Sequence, residues 1–273
     1  MNAGLAARVG VLGVIGSAAI GCTTVWADNP AFPVDRALID DEWDRLREEE
    51  PVALERPVVI LGGYRAVPTM AVRLADRLAL LTGAPREDFF AVSYTFGSNM
   101  SNIVDLATTR VDKRWPSENP DETIEVDVVG ISMGGLIGRA AALPAHEAIH
   151  DGKRLRVRRL YTLASPHRGA LLAEKIAPDK AARAMKPGSE FLSRLDRALA
   201  EIDYEITPYA VLNDSWVGAT RTAPIGYEPI WTGGRSAFSH FAVPDDRRIL
   251  VDLARRLRGE PPLAERGTTP PKD

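Results

Sequence analysis

The chain has 273 residues, 45% hydrophobic and 26% charged, which is enough apolar material for one large domain with a buried core. A formal net charge of −3 excludes the broad basic field that recruits nucleic acid, so no nucleic-acid partner is expected. The single cysteine excludes a disulfide framework.

The chain opens on an unusual stretch. Arg8 is the one charged residue before an apolar run from Val9 to Ile20. The run is shorter than the roughly 20 residues a spanning helix needs and suits the apolar region of a secretory signal. It ends in Ala19-Ile20-Gly21-Cys22, which resembles the lipobox of bacterial lipoproteins, with Ala19 where Leu is usual. In that motif the cysteine is lipidated and becomes the mature N-terminus. Cys22 is the lone cysteine, so the resemblance implies a lipoprotein-type signal peptide over 1–21 and lipidation at Cys22. It also implies export to the cell envelope, on the periplasmic side, with a membrane surface as partner through the acyl anchor. A plain cleaved signal or an apolar helix is the alternative.

Residues 22–55 read as a lead-in, with an acidic helix around Asp40–Glu50 whose charges form a solvated face. The main domain runs over 56–259. Val58–Leu61 is a β-branched run closed by Gly62-Gly63, a buried parallel strand and a tight turn. Apolar spacing predicts a helix over Met70–Leu81, a strand over Phe89–Tyr94 and a helix over Asn102–Trp115. A strand over Ile124–Val129, a helix over Gly134–Leu143 and a strand over Val157–Leu163 follow. Such alternation builds a parallel sheet with helices on both faces. Residues 170–205 break the rhythm with charged helical segments, Ala173–Met185 and Glu190–Ile202, read as a cap insertion over the sheet. Strands at Tyr209–Leu212 and Pro229–Trp231 and a helix over Asp245–Leu257 complete the domain. The Pro-rich tail over 260–273 is expected to be disordered.

The chemistry-bearing motif is Gly130-Ile131-Ser132-Met133-Gly134, a G-x-S-x-G between a strand and a helix. A sharp strand-to-helix turn exposes a serine oxygen at the carboxyl end of the sheet, with the positive end of the helix beneath it. A serine hydroxyl needs a base to take its proton and an acid to orient that base, in the chain order serine, acid, histidine. Of the four histidines, His146 and His150 are read as solvent-facing and His240, in a late loop, as the base. His167 is the runner-up, with a buried structural role as its simpler reading. Asp214, after the strand Tyr209–Leu212, is the acid of choice, and Asp203 and Glu228 are its alternatives. An oxyanion hole needs two backbone N–H groups. One is assigned to Met133 and the other to Tyr64 after the first strand, with Gly63 as the alternative donor.

These residues resemble bacterial triacylglycerol lipases and related esterases of the α/β-hydrolase superfamily, over about Pro57 to Leu257. Pro57 to Tyr64 is similar to their first strand and oxyanion loop, and Val126 to Ala140, with Arg139, to their elbow and helix. Leu163 to Gly169 resembles a (Thr/Ser)-Pro-His-x-Gly segment that packs beside the site without catalysing. Pro187 to Leu192 resembles a segment of the cap, and Asn213-Asp214 through Val217 the acid loop. The family usually has His where this chain has Gly62 and Ile131. The resemblance implies an α/β-hydrolase fold, a mostly parallel sheet with helices on both faces and a helical cap insertion. It further implies a serine hydrolase cleaving ester or lipid substrates through an acyl-enzyme on Ser132, with no cofactor and no metal. A non-catalytic envelope binding module on the same fold is the alternative from another class. An amidase, thioesterase or acyltransferase on the same triad also stands open.

Overall fold

The computed structural model describes residues 32, 36–94, 99–234 and 239–266. The expected signal segment 1–21 and Cys22 lie outside the described residues.

The strands β1 (Val58–Leu61), β2 (Phe89–Val92), β3 (Val126–Ile131), β4 (Val157–Leu163), β5 (Glu205–Val211) and β6 (Ile230–Thr232) form one sheet in the order β2-β1-β3-β4-β5-β6. Every neighbouring pair is parallel. A parallel strand covered on both faces must be apolar on both, and all four residues of β1 are buried. Val58 and Ile60 face α2 (Pro68–Thr82) and α9 (Arg247–Leu257), joined by α1 (Arg36–Glu48). Val59 and Leu61 face α3 (Met100–Arg114) and α4 (Met133–Ala141) on the other side. The chain steps outward from β1 to β2 and then returns to β3 on the far side of β1. Successive connections therefore part between the carboxyl ends of β1 and β3, and that crevice is where such sheets bind ligands.

Strand β5 begins four residues before the strand read from the sequence and contains Pro208, a residue that ordinarily argues against a central strand. Ala164 N–H donates to the Tyr209 carbonyl at 2.8 Å, so Tyr209 faces β4 and Pro208 faces the other way. On that side β6 pairs only from Tyr209 onward, and the missing N–H of Pro208 disrupts no ladder.

Between β4 and β5 the chain forms three short helices, α5 (Leu171–Lys175), α6 (Lys180–Ala184) and α7 (Glu190–Arg197). The helix expected over Ala173–Met185 is split at Pro178, and Asp179 starts α6 by accepting from Ala182 N–H at 2.9 Å. This segment buries Ala181, Leu192 and Leu195 against the α3 and α4 side of the sheet.

Three sequence expectations need correction. His150 is not solvent-facing: its side chain is 4% exposed, and Nδ1 accepts from Gly152 N–H at 3.1 Å. The charges of α1 are not simply solvated, since Glu42 pairs with Arg45 and Arg255, and Arg45 with Glu260. The tail is ordered as far as it is described. Leu263 and Ala264 N–H donate to Asp252 Oδ1 at 2.7 and 2.9 Å, and Ala264 is buried. Residues 267–273 lie outside the described residues.

Asp252 is fully buried on α9, and its Oδ2 accepts from Tyr209 Oη at 2.6 Å and Arg256 Nε at 2.8 Å. One carboxylate thus joins β5, α9 and the C-terminal segment. Asp252→Ala is expected to cost about 3 kcal/mol in urea unfolding, because it strands a buried phenol and two amides; a loss under about 0.5 kcal/mol would refute this role.

Candidate active site

Ser132 sits between β3 and α4 at φ +53° and ψ −121°, a backbone conformation that L-residues avoid. The turn is held from several sides. Ser132 N–H donates to the Leu163 carbonyl at 2.8 Å, and Gly135 N–H to the Ser132 carbonyl at 3.1 Å. No side chain fits where α4 meets β1: a Cβ on Gly134 would lie 2.1 Å from the Leu61 carbonyl oxygen. A Cβ on Gly130 would lie 2.3 Å from Gly135 N.

Asp214 follows β5, after Asn213 at φ +59°. Its Oδ1 accepts from Trp216 N–H and Val217 N–H, both at 2.9 Å, which fixes the carboxylate and aims Oδ2 elsewhere. Oδ2 lies 2.8 Å from His240 Nδ1, and His240 Nε2 lies 3.0 Å from Ser132 Oγ. His240 is on the short helix α8 (Ser239–Ala242) after β6, with Trp216 nearly parallel to its ring at 6.2 Å. A carboxylate only accepts, so Nδ1 carries the hydrogen and Nε2 turns its lone pair to the serine hydroxyl. Asp214 is fully buried and His240 nearly so, which keeps this relay away from bulk water. Ser132, Asp214 and His240 are therefore brought together.

The alternatives lie elsewhere. Asp203 precedes β5 and pairs with Arg154 at 2.6 Å, and the exposed Glu228 precedes β6. In a parallel sheet both fall at the amino end, opposite Ser132. His167 is buried with both ring nitrogens engaged: Nδ1 faces Arg139 at 3.2 Å and Nε2 faces Thr162 Oγ1 at 3.1 Å. The guanidinium only donates, so Nδ1 accepts and Nε2–H donates. Burial, then the charges of Arg139 and Arg168, hold the His167 ring well below its ordinary value of 6.5.

The turn Gly62-Gly63-Tyr64 passes directly beside Ser132; a Cβ on Gly63 would touch the Ser132 Cβ at 3.4 Å. Among the described residues no hydrogen bond occupies the N–H of Tyr64 or of Met133. The Tyr64 phenol donates to Asp179 Oδ2 at 2.6 Å, and burial followed by this bond pushes its pKa up to about 12. Sequence reading missed two neighbours of the site. Trp216, beside His240, left no trace beyond its place after Asn213-Asp214. Asp179, a helix cap after Pro178, lies 115 residues from the tyrosine it meets.

No family model and no curated protein matches the chain. Solved structures do. Lipase BlEst2 of Bacillus licheniformis in its propeptide form matches at 14% identity and a TM-score of 0.51, over 81% of this chain and 54% of that one. This chain thus spans about half the length of that protein. The chain has an α/β-hydrolase fold. The mature form of the same lipase matches at 15% identity and a TM-score of 0.48, over 72% of this chain and 89% of that one. Phospholipase PlaB of Legionella pneumophila matches at 13% identity and 0.44, over 57% of this chain and 40% of that one. In this α/β-hydrolase fold, helix α4 and the β1 loop flank Ser132, and the segments after β5 and β6 bring Asp214 and His240.

His167 gives the stability a pH dependence. The folded chain keeps the ring neutral while the unfolded chain takes up a proton below about 6.5, so stability falls as pH drops through that value. The expected slope from this residue is up to about 1.4 kcal/mol per pH unit. Denaturant unfolding at pH 7 and pH 5 checks it; His167→Gln should show a shallower loss, and an equal loss would remove His167 as the cause.

Proposed function

We propose that the chain is a serine hydrolase that cleaves carboxylic esters, of esterase or lipase type, through an acyl-enzyme on Ser132. The observation that carries the reading is the relay of Ser132 Oγ, His240 and Asp214 at 3.0 and 2.8 Å. His240 Nε2 takes the Ser132 proton as Oγ bonds to the ester carbonyl carbon. The N–H groups of Met133 and Tyr64 receive the oxyanion. The carbonyl reforms, the bond to the alcohol oxygen breaks, and His240 returns its proton to that oxygen. Water then attacks the acyl carbon, giving a proton to His240; the bond to Ser132 Oγ breaks, His240 returns the proton to Oγ and the acid leaves, while Asp214 holds the ring and offsets its transient charge. Trp216 at 38% exposure and Phe241 at 41% form an edge-to-face pair beside His240, which supports an apolar group on the substrate. The name of the Bacillus lipase agrees with an ester or lipid substrate.

Turnover of p-nitrophenyl esters across acyl lengths tests this reading. Ser132→Ala is expected to lower kcat by at least about 10³-fold with the fold intact. Equal activity in wild type and mutant, or no turnover together with no fluorophosphonate labelling of Ser132, would refute it and favour a non-catalytic module. Faster amide than ester turnover would favour an amidase.

The apolar run before Cys22 supports a second part of the proposal, export with lipid anchoring at that cysteine. Expressed in a bacterium, Cys22→Ser is expected to move the protein from the membrane to the soluble fraction and abolish palmitate labelling. An unchanged distribution would refute the anchor.

A further inference from the structure

The loop carrying the Tyr64 N–H has little of its own to hold it. Gly62 N–H donates to the Val92 carbonyl at 2.8 Å where the strand ends, and beyond it the turn is closed by a long bond, Ala66 N–H to the Gly63 carbonyl at 3.3 Å, that encloses Arg65 at φ +49°, a left-handed conformation in a non-glycine residue. Such a conformation persists only where the surroundings over-determine it. One side chain from the cap segment does so here. Asp179 Oδ2 accepts from the Tyr64 phenol at 2.6 Å and from Arg65 Nη2 at 2.8 Å, and the Arg65 guanidinium lies over the Tyr64 ring at 5.3 Å. The other oxygen, Oδ1, accepts from Ala182 N–H at 2.9 Å and so ties the same carboxylate to the start of α6. Asp179 side-chain exposure is 14%, and the bonds from Tyr64 and Arg65 help to hold its carboxyl below the ordinary range against the effect of burial.

We propose that Asp179 is a positioning residue of the oxyanion hole, acting from the cap through Tyr64 and Arg65 to fix the direction of the Tyr64 N–H. This rests on the reading of Ser132 as an acylating serine. Asp179 does not touch the substrate oxygen. It holds two consecutive side chains, and with them the peptide between Gly63 and Tyr64, against the edge of Ser132. Its negative charge is offset by Arg65, so it does not repel the developing oxyanion. A donor aimed in advance stabilises the transition state more than the bound substrate, so the loss should fall on kcat rather than on KM.

The test compares wild type, Asp179→Ala, Asp179→Asn, Tyr64→Phe and the double variant Asp179→Ala/Tyr64→Phe. The readouts are p-nitrophenyl ester kinetics, inhibition by phenylboronic acid as a tetrahedral adduct, and amide exchange of the peptide spanning 62–67. Asp179→Ala should lower kcat about tenfold with KM within about twofold, weaken the boronate by the same factor, and raise exchange in the loop. The double variant should be no slower than Asp179→Ala, because both changes cut one link. Tyr64→Phe leaves the α6 cap intact, so a loss there separates positioning from a mere loosening of the cap. Kinetics, boronate affinity and exchange that match wild type in folded Asp179→Ala and Tyr64→Phe would overturn the proposal. Wild-type protein with no Ser132-dependent turnover would sink the reaction reading by itself, and the exchange of residues 62–67 would still decide whether Asp179 fixes the loop.

Discussion

The site depends on a contact between two pieces of backbone. Helix α4 lies so close to the end of β1 that the Leu61 carbonyl occupies the space a side chain on residue 134 would need. Because nothing intervenes, the turn from β3 into α4 can be as sharp as it is, and Ser132 is held in a conformation it would leave if free. The same closeness lays the glycine turn after β1 along the Ser132 Cβ. One steric condition thus sets both where the serine oxygen points and which amides lie next to it.

Parallel topology decides what else can reach that point. Every strand runs the same way, so residues after strands gather at one end and residues before strands at the other. Asp214 and His240 each follow a strand and arrive beside Ser132. Beneath them, Arg139 reaches from α4 to His167 at 3.2 Å and to the Leu195 carbonyl at 2.7 Å, bracing the elbow helix against the cap segment from within. A charge this deeply buried is tolerable only because these partners meet it.

How much of this could be read from residue order varies with the range of the interaction. The elbow was legible because strand, glycines, serine and helix are contiguous. Asp214 and His240 were legible because each follows a strand and the chain offers few histidines. Asp179 was not, since its partners are set by the fold and lie more than a hundred residues away. The burial of His150 was hidden for a similar reason, because a short loop's sequence does not say what lies over it. For residues 260–266, the described part of the tail, the prolines misled. Pro261 and Pro262 deny the segment regular structure, yet Leu263 and Ala264 beyond them dock on Asp252. The start of β5 lies before Pro208, and the rule that keeps proline out of central strands lapses there because the neighbouring strand has not yet begun.

The two ends of the described chain close on one another. Arg45 of α1 pairs with Glu260, 215 residues later, and Arg255 of α9 returns to Glu42 of α1. Strand β6, His240 and α9 all belong to the last part of the sequence, and α9 supplies much of the apolar cover for one face of the sheet. A nascent chain emerging from its N-terminus holds its serine early and its histidine late. One face of its sheet carries only α1 and α2 until α9 has followed, so the relay and the core are completed within the same short stretch of synthesis.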